Sequence, residues 1–517
     1  MSSARAGNRG GALLARAGLL GALALGGAGP AALSLALATT APLAAGCARG
    51  EAHENLPPPA SAAASDTAPT ASAAAAPATA ALISPPDTPR PDRPSLRATK
   101  TPGADPAQWK RIFDTYGHLL DVDYLLDDHH RRHPTKTRLV TLGTTHQGRA
   151  VRALLIADDP EKARTRPAVL LNGAHHGDEP LSAEIVMDAI ETLLSRSDSD
   201  PRVRRYLAEL AIWCVPMVNP DGFAAFMTDF GAGRKNGRET RPNGAHKPLP
   251  TKGVDLNRNY PFGWATLKER GGRSDPDHRF YRGPEPGSEP EVRAMMALSD
   301  SERFVASISY HIGTVALLAP YTNDLVESPA PNEAWTVAED IARKMPKNPD
   351  KPLFVRKNLY PVDGTDQDHF RGTAGTLALL WEASSRSWET AYLKDRTLTN
   401  MRPSWGLLFD RYLDGPSVEG HVRDAAGEPV VADVAVVEVK ARAGESWTSR
   451  CSDGFFGRFL PGPGRFTVRV TPRGAPPIEK AVEVTREKGR VVVDFVVESA
   501  SAAAGSPAPP PSCPDPG

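Results

Sequence analysis

Cysteine is scarce in this chain. There are four in 517 residues, too few for a disulfide-dense scaffold. Cys214 lies inside an apolar run and reads as a core residue, while Cys451 and Cys513 are open to being free or paired. An excess of either charge is also missing. Lys+Arg and Asp+Glu both number 61, which argues against nucleic acid as a partner. A long unbroken apolar run is lacking too. The stretch from Ala17 to Gly46 is Gly-rich and broken by Pro30, which argues against a stable membrane-spanning helix. Behind Arg5, Arg9 and Arg16 it reads as an export signal. It ends Leu43-Ala-Ala-Gly46-Cys47, which is similar to a bacterial lipoprotein cleavage site. The aliphatic residue sits one place early, so a plain secretory signal with an incidental Cys47 remains the alternative.

What is abundant is proline, 50 residues in all. The composition predicts a signal segment over 1–47, a disordered Ala/Pro-rich linker over 48–104 and a second disordered tail over 499–517. Two globular stretches lie between. In 105–413, the apolar runs Ala168–Leu171, Ala211–Val218, Phe304–Tyr310 and Thr376–Trp381 read as buried strands. Pro180 opens a helix at the position where a missing N–H costs nothing, and Leu181, Ile185, Ala189 and Leu193 then share one face. Strands alternating with helices predict an α/β domain with a mixed central sheet flanked by helices. In 416–498, Val434 and Val436, then Phe466, Val468 and Val470, then Val482 and Val484 recur at strand spacing. Turn residues stand at Asp424-Ala-Ala-Gly427 and Pro461-Gly-Pro-Gly464, which predicts a small all-β sandwich.

The chemistry-bearing residues gather near strand ends. His176 and Glu179 follow the Ala168–Leu171 strand three positions apart, so an imidazole and a carboxylate can face one metal ion. His311 follows another strand and offers a third ligand, leaving a fourth position for water as catalytic zinc requires. Each of these alone is more often a solvated loop or a structural histidine. Arg234 and the pair Asn257-Arg258 bring donors matched to a carboxylate. Glu382 ends a buried strand, where a carboxylate is costly without a task or a partner. Tyr360 on its own reads as a packed aromatic.

Taken together, these residues resemble the zinc carboxypeptidases of the carboxypeptidase A/B superfamily, from Thr144-Thr-His-Gln-Gly-Arg149 through Glu382 and the helix after it. His176-Gly-Asp-Glu179 and His311 match the family's zinc ligands. Arg234 matches the arginine that polarises the scissile carbonyl, and Asn257 and Arg258 match the anchors of the substrate's terminal carboxylate. Asn219-Pro-Asp-Gly222 matches a recurrent turn, Tyr360 the mobile tyrosine before Gly364 and Asp368, and Glu382 the general base. The chain departs from the pattern at His369, where an aromatic commonly stands, and at Ile312-Gly-Thr-Val315, in place of a Ser-rich turn. The second stretch resembles the transthyretin-like module that follows regulatory-type carboxypeptidases, with Gly420-His-Val-Arg-Asp-Ala-Ala-Gly-Glu-Pro429 as its first hairpin.

The resemblance implies one Zn2+ per chain and hydrolysis of the C-terminal peptide bond of peptides or proteins, with water activated on the ion and Glu382 as base. Asp366 and Gln367, with Thr365, are expected to set side-chain preference, Asp366 favouring a C-terminal Lys or Arg. The expected protein is exported, periplasmic or at the cell surface through a lipidated Cys47, or secreted, and acts as a monomer. Two other readings stay open: a zinc amidohydrolase, deacylase or cell-wall peptide hydrolase on the same fold, and a surface binding lipoprotein without turnover.

Overall fold

The computed structural model describes residues 106–228, 232–241, 252–346, 353–385, 390–445 and 447–498. The export-signal, linker and tail readings, with Cys47 and Cys513, fall outside them. Alternation builds the central sheet. Leu154, Ile156, Val169, Leu171, Ile212, Cys214, Ile308, Tyr310, Leu379 and Trp381 enter one buried layer. Their sequence neighbours Ala153, Leu155, Ala168, Leu170, Ala211, Trp213 and Ala378 enter the layer on the opposite face, as the two-residue period of a strand requires.

Eight strands result: β1 Thr137–Thr144, β2 Ala150–Ile156, β3 Ala168–Gly173, β4 Ala211–Val215, β5 Ala306–His311, β6 Ala316–Leu318, β7 Val355–Arg356 and β8 Leu377–Glu382. Their order is β1-β2-β4-β3-β5-β8-β6-β7. The inner four pair in parallel, and β1, β2 and β6 join through antiparallel ladders. The sheet is therefore mixed, as the sequence predicts. The expected strand 211–218 stops at Val215 because Pro216 has no N–H for the ladder. Cys214 is fully buried in β4 and free, whereas Cys451 is disulfide-bonded to a partner outside the described residues.

Proline opens the helices Pro180–Ser195, Pro201–Glu209 and Pro290–Glu302. The first of these is buried along nearly its whole length. It lies under the helix Ala391–Leu413, to which it is tied by Arg402–Asp188 and Lys394–Glu184 pairs at 2.7 and 3.1 Å. Among the described residues no helix is long and apolar enough to cross a membrane.

Beyond Leu413 the chain turns all-β: β9 Ser417–Asp424, β10 Ala432–Val436, β11 Phe455–Phe459, β12 Gly464–Pro472, β13 Ile478–Val484, β14 Arg490–Val492 and β15 Phe495–Val497. One sheet runs β10-β12-β13 and the other β11-β9-β14, with β15 also on β9. Val418, Val422, Val434, Val436, Val468, Val470, Val482, Val484 and Phe495 fill the space between. The sandwich is not loosely appended. Phe455 and Phe459 on β11 turn the other way and join the core of the α/β part beside Phe409, Tyr412 and Leu413.

Candidate metal and substrate site

The site forms where β3, β5 and β8 end. Register places His311 of β5 directly beside Glu382 of β8. The sequence puts His311 just after its strand; it is the strand's last residue. Beyond β3 the chain turns sharply at Ala174, whose φ of 54° is a conformation non-glycine residues adopt at a cost of about 1–2 kcal/mol. Side-chain contacts hold that turn. Ser182 Oγ accepts from Ala174 N at 2.9 Å and donates to Glu179 O at 2.6 Å. Asn219 Nδ2 donates to His175 O at 3.1 Å, and Asn219 Oδ1 accepts from Gly222 N.

The recurrent turn Asn219-Pro-Asp-Gly222 thereby acquires a physical reason. Asp221, 1 % exposed, accepts from Thr145 Oγ1, Gln147 N and Arg149 Nη1 at 2.9, 3.0 and 2.7 Å. The motif Thr144–Arg149 and the turn are two halves of one bracket behind the site.

Within that bracket the three expected ligands meet. Donor atoms of His176, Glu179 and His311 lie within 4.8 Å of one another, and all three side chains are buried. Glu179 faces both rings, 2.8 Å from His176 Nδ1 and 3.1 Å from His311 Nδ1. Two imidazoles and a carboxylate converging on one point fit a zinc ion. Burial works against the charged form of Glu179, but the two imidazoles outweigh it and hold the carboxyl well below the usual range. Burial and then the Glu179 charge push Glu382 the other way, up to about 7. Glu382 Oε2 is a buried atom with no hydrogen-bond partner.

Asp255 is the residue that sequence reasoning missed. Fully buried, it lies 3.2 Å from His176 Nε2 and accepts from Arg234 Nε at 2.9 Å and Asn257 N at 3.1 Å. It sets the orientation of one ligand ring and holds the Arg234 guanidinium beside the ligand set. A carboxylate on the far nitrogen of a ligating histidine is the usual device for fixing its tautomer. His175 is no ligand in this arrangement. Its Nε2 pairs with Tyr260 Oη at 2.8 Å, its ring stacks near His311, and burial pushes its pKa down to about 4.

The two candidate arginines cluster on one aromatic. Arg234 and Arg258 lie 4.8 and 5.4 Å from the centre of the Phe280 ring. Phe280 stacks on Tyr360, whose hydroxyl accepts from Arg258 Nη2 at 3.1 Å. Nothing in the polar run around Phe280 signals this role. Asn257 Oδ1 accepts from Asp366 N at 2.9 Å, which ties the Asn257-Arg258 segment to the helix Asp366–Ala374. Asp366 and Gln367 are buried at that helix start. Both Asp366 carboxylate oxygens and Gln367 Oε1 are without a hydrogen-bond partner. His369, the departure from the expected aromatic, packs against Tyr260.

Gly177 tests how tightly this loop is drawn. A Cβ there would overlap the backbone of Gly222 and Phe223, and relief requires backbone movement next to two ligands. The expected result for Gly177→Ala is a loss of about 1–3 kcal/mol of stability with weakened zinc retention, read by melting temperature and metal analysis after dialysis. An unchanged melting temperature and metal content would show that the loop has slack.

A family model described as zinc carboxypeptidase matches residues 122–400. Metallocarboxypeptidase A of Trichophyton tonsurans is 27% identical over 265 residues, covering 50% of this chain and 60% of its own. Zinc carboxypeptidase A 1 of Anopheles gambiae is 30% identical over 284 residues, covering 54% and 60%. The chain thus spans about three fifths of the length of these relatives. Among solved structures, carboxypeptidase A from Helicoverpa armigera aligns with a TM-score of 0.47 at 22% identity, covering 56% of this chain and 70% of that one.

Proposed function

The chain belongs to the zinc carboxypeptidase family, and we propose that it is a zinc-dependent exopeptidase releasing the C-terminal residue of peptides or proteins. One observation carries the reading. A His-Glu-His ligand set and a carboxylate of opposite protonation tendency meet at the ends of three neighbouring strands, with two arginines packed on one aromatic ring nearby.

His176, Glu179 and His311 would hold the zinc, which when bound supplies Lewis acidity toward water and the scissile carbonyl. Glu382 takes the proton from the attacking water and delivers it to the departing amine nitrogen. Arg234 donates to the carbonyl oxygen as negative charge builds there, so it favours the transition state over the ground state. Arg258 and Asn257 hold the free carboxylate, and Tyr360 closes over it. Asp366 and Gln367 offer buried acceptors without hydrogen-bond partners to the side chain of the departing residue, which favours Lys or Arg.

Export is part of the same reading. The basic N-terminus and the apolar run to Cys47 direct the chain out of the cytoplasm. Cys47 is the point of lipid attachment for a periplasmic or cell-surface enzyme that acts as a monomer. The sandwich, with its hairpin Gly420 to Pro429, is a transthyretin-like module.

The test compares one peptide with a free and with an amidated C-terminus. A charge-assisted hydrogen bond contributes about 1.5–3 kcal/mol, so amidation is expected to lower kcat/KM by roughly 10- to 100-fold or more. Chelation should abolish release and zinc restore it. Equal cleavage of the amidated peptide would point to a deacylase or endopeptidase instead.

A further inference from the structure

Two side chains of the sandwich bear on the two ends of the helix Asp366–Ala374, Trp447 directly and Glu445 through the segment that begins at Tyr321. At its C-terminus Trp447 Nε1 donates to Arg371 O at 2.8 Å, and the Arg371 guanidinium lies 4.3 Å from the centre of the indole ring. Gly375, at φ 72°, caps the helix, and a Cβ there would stand 2.8 Å from Trp447 Cγ. Arg371 is in turn ion-paired with Glu333.

At the helix N-terminus the link runs through Glu445. Its Oε1 accepts from the buried hydroxyl of Tyr321 at 3.1 Å. The next two residues hold the helix start. Thr322 N and Asn323 N donate to the Asp368 carboxylate at 2.7 and 2.9 Å, and Thr322 Oγ1 accepts from Gln367 Nε2 at 3.2 Å. Reciprocal backbone hydrogen bonds between Ala330 and Lys440, at 3.2 and 3.0 Å, fasten the same segment to the sandwich a few residues on.

We propose that Glu445 and Trp447 are positioning residues for substrate selection, fixing from the sandwich both ends of the helix that presents Asp366 and Gln367 to the departing residue. This rests on the carboxypeptidase reading of the site. It gives the second domain a task in the reaction. A helix displaced by a fraction of an ångström at its start changes the fit of the terminal side chain. It leaves the zinc ligands and Glu382, which stand on the loop after β3 and at the ends of β5 and β8, where they are.

The experiment uses the full chain with zinc and three variants. Glu445→Ala removes the acceptor for Tyr321. Trp447→Phe keeps a ring under Arg371 and removes the N–H donor. Arg490→Gln breaks the Arg490–Glu209 pair, which joins the same two domains away from the helix. KM is read for peptides ending in Arg and in Phe, and backbone hydrogen exchange is read at 322–323 and 366–370. For Glu445→Ala and Trp447→Phe the expected result is a roughly three- to tenfold rise in KM, the loss of about one hydrogen bond, with kcat unchanged. The Arg-to-Phe preference should narrow and exchange quicken in those two segments. Glu445→Gln, which keeps an acceptor, should restore both, and Arg490→Gln should lower only the melting temperature. Unaltered exchange and selectivity in both brace variants, or the same changes in Arg490→Gln, would overturn the proposal. Failure of the wild type to release a C-terminal residue would instead overturn the reading of the site, and the exchange arm still decides the brace.

Discussion

Glu382→Gln is expected to lower kcat by about 10²–10⁴-fold while zinc content, KM and melting temperature stay near those of the wild type. The argument starts from two carboxylates in one site. Glu179 is held well below the usual carboxylate range because the imidazoles of His176 and His311 outweigh its burial. Glu382 is pushed up to about 7 by burial and by the Glu179 charge. Environments that drive a pair of carboxyls apart assign them different tasks. The first stays charged and suits a cation; the second takes and gives a proton near neutral pH. Glutamine keeps the size of Glu382 and cannot accept the proton from water. Glu179→Gln is the contrasting variant and should lose zinc and activity together. Atomic absorption on both proteins, beside single-turnover rates with a free C-terminal peptide, separates the two roles. A Glu382→Gln protein that keeps more than about a tenth of wild-type kcat would remove Glu382 as the base, since a positioned base contributes at least 10²-fold.

How much of this was legible beforehand depended on range. The inner strands β3, β4, β5 and β8 announce themselves because each is buried on both faces, so apolar residues run without interruption. The flanking strands β6 and β7 have three and two residues, too few for a period to register. His176, Glu179, His311 and Glu382 are weak signals singly, and they stand out because several such polar groups recur at or just past the ends of apolar runs. Asp255 stands 79 residues from His176. Its neighbours Asn257 and Arg258 offer donors suited to a substrate carboxylate, and only the folded chain shows that the acid two residues before them turns to His176. Phe280, next to Tyr281, and the lone Trp447 lie in polar surroundings, with no spacing to betray them. Their roles come from which guanidinium groups pack on their faces, a product of loop packing that no local pattern encodes.

The second large effect is expected at Asp255. Asp255→Asn should weaken zinc binding by roughly 10- to 100-fold, the range found when a carboxylate behind a ligating histidine is lost. It should also cost stability on the order of 3–5 kcal/mol, as when one partner of a buried ion pair is removed. Asn preserves the shape and one acceptor oxygen, so the change is chiefly one of charge. Asp255 is fully buried, and its carboxylate lies between His176 Nε2 at 3.2 Å and Arg234 Nε at 2.9 Å. Without its charge, the Arg234 guanidinium is left near a neutral amide. Its Nη1 stands 3.4 Å from His176 Nδ1, the ring nitrogen that faces Glu179. Nothing then opposes the drift of Arg234 toward Glu179, now 3.9 Å away, where it would compete with a cation for the same carboxylate. Zinc affinity by competition with a chromophoric chelator, with melting curves in the presence and absence of zinc, checks both parts. Arg234→Gln in the same background is the informative companion. If competition by the guanidinium is the main cause, the double variant recovers most of the zinc affinity; if ring orientation is, it does not. Wild-type affinity in Asp255→Asn alone would mean that the His176 ring is held by Glu179 and its loop, and that Asp255 serves Arg234 only.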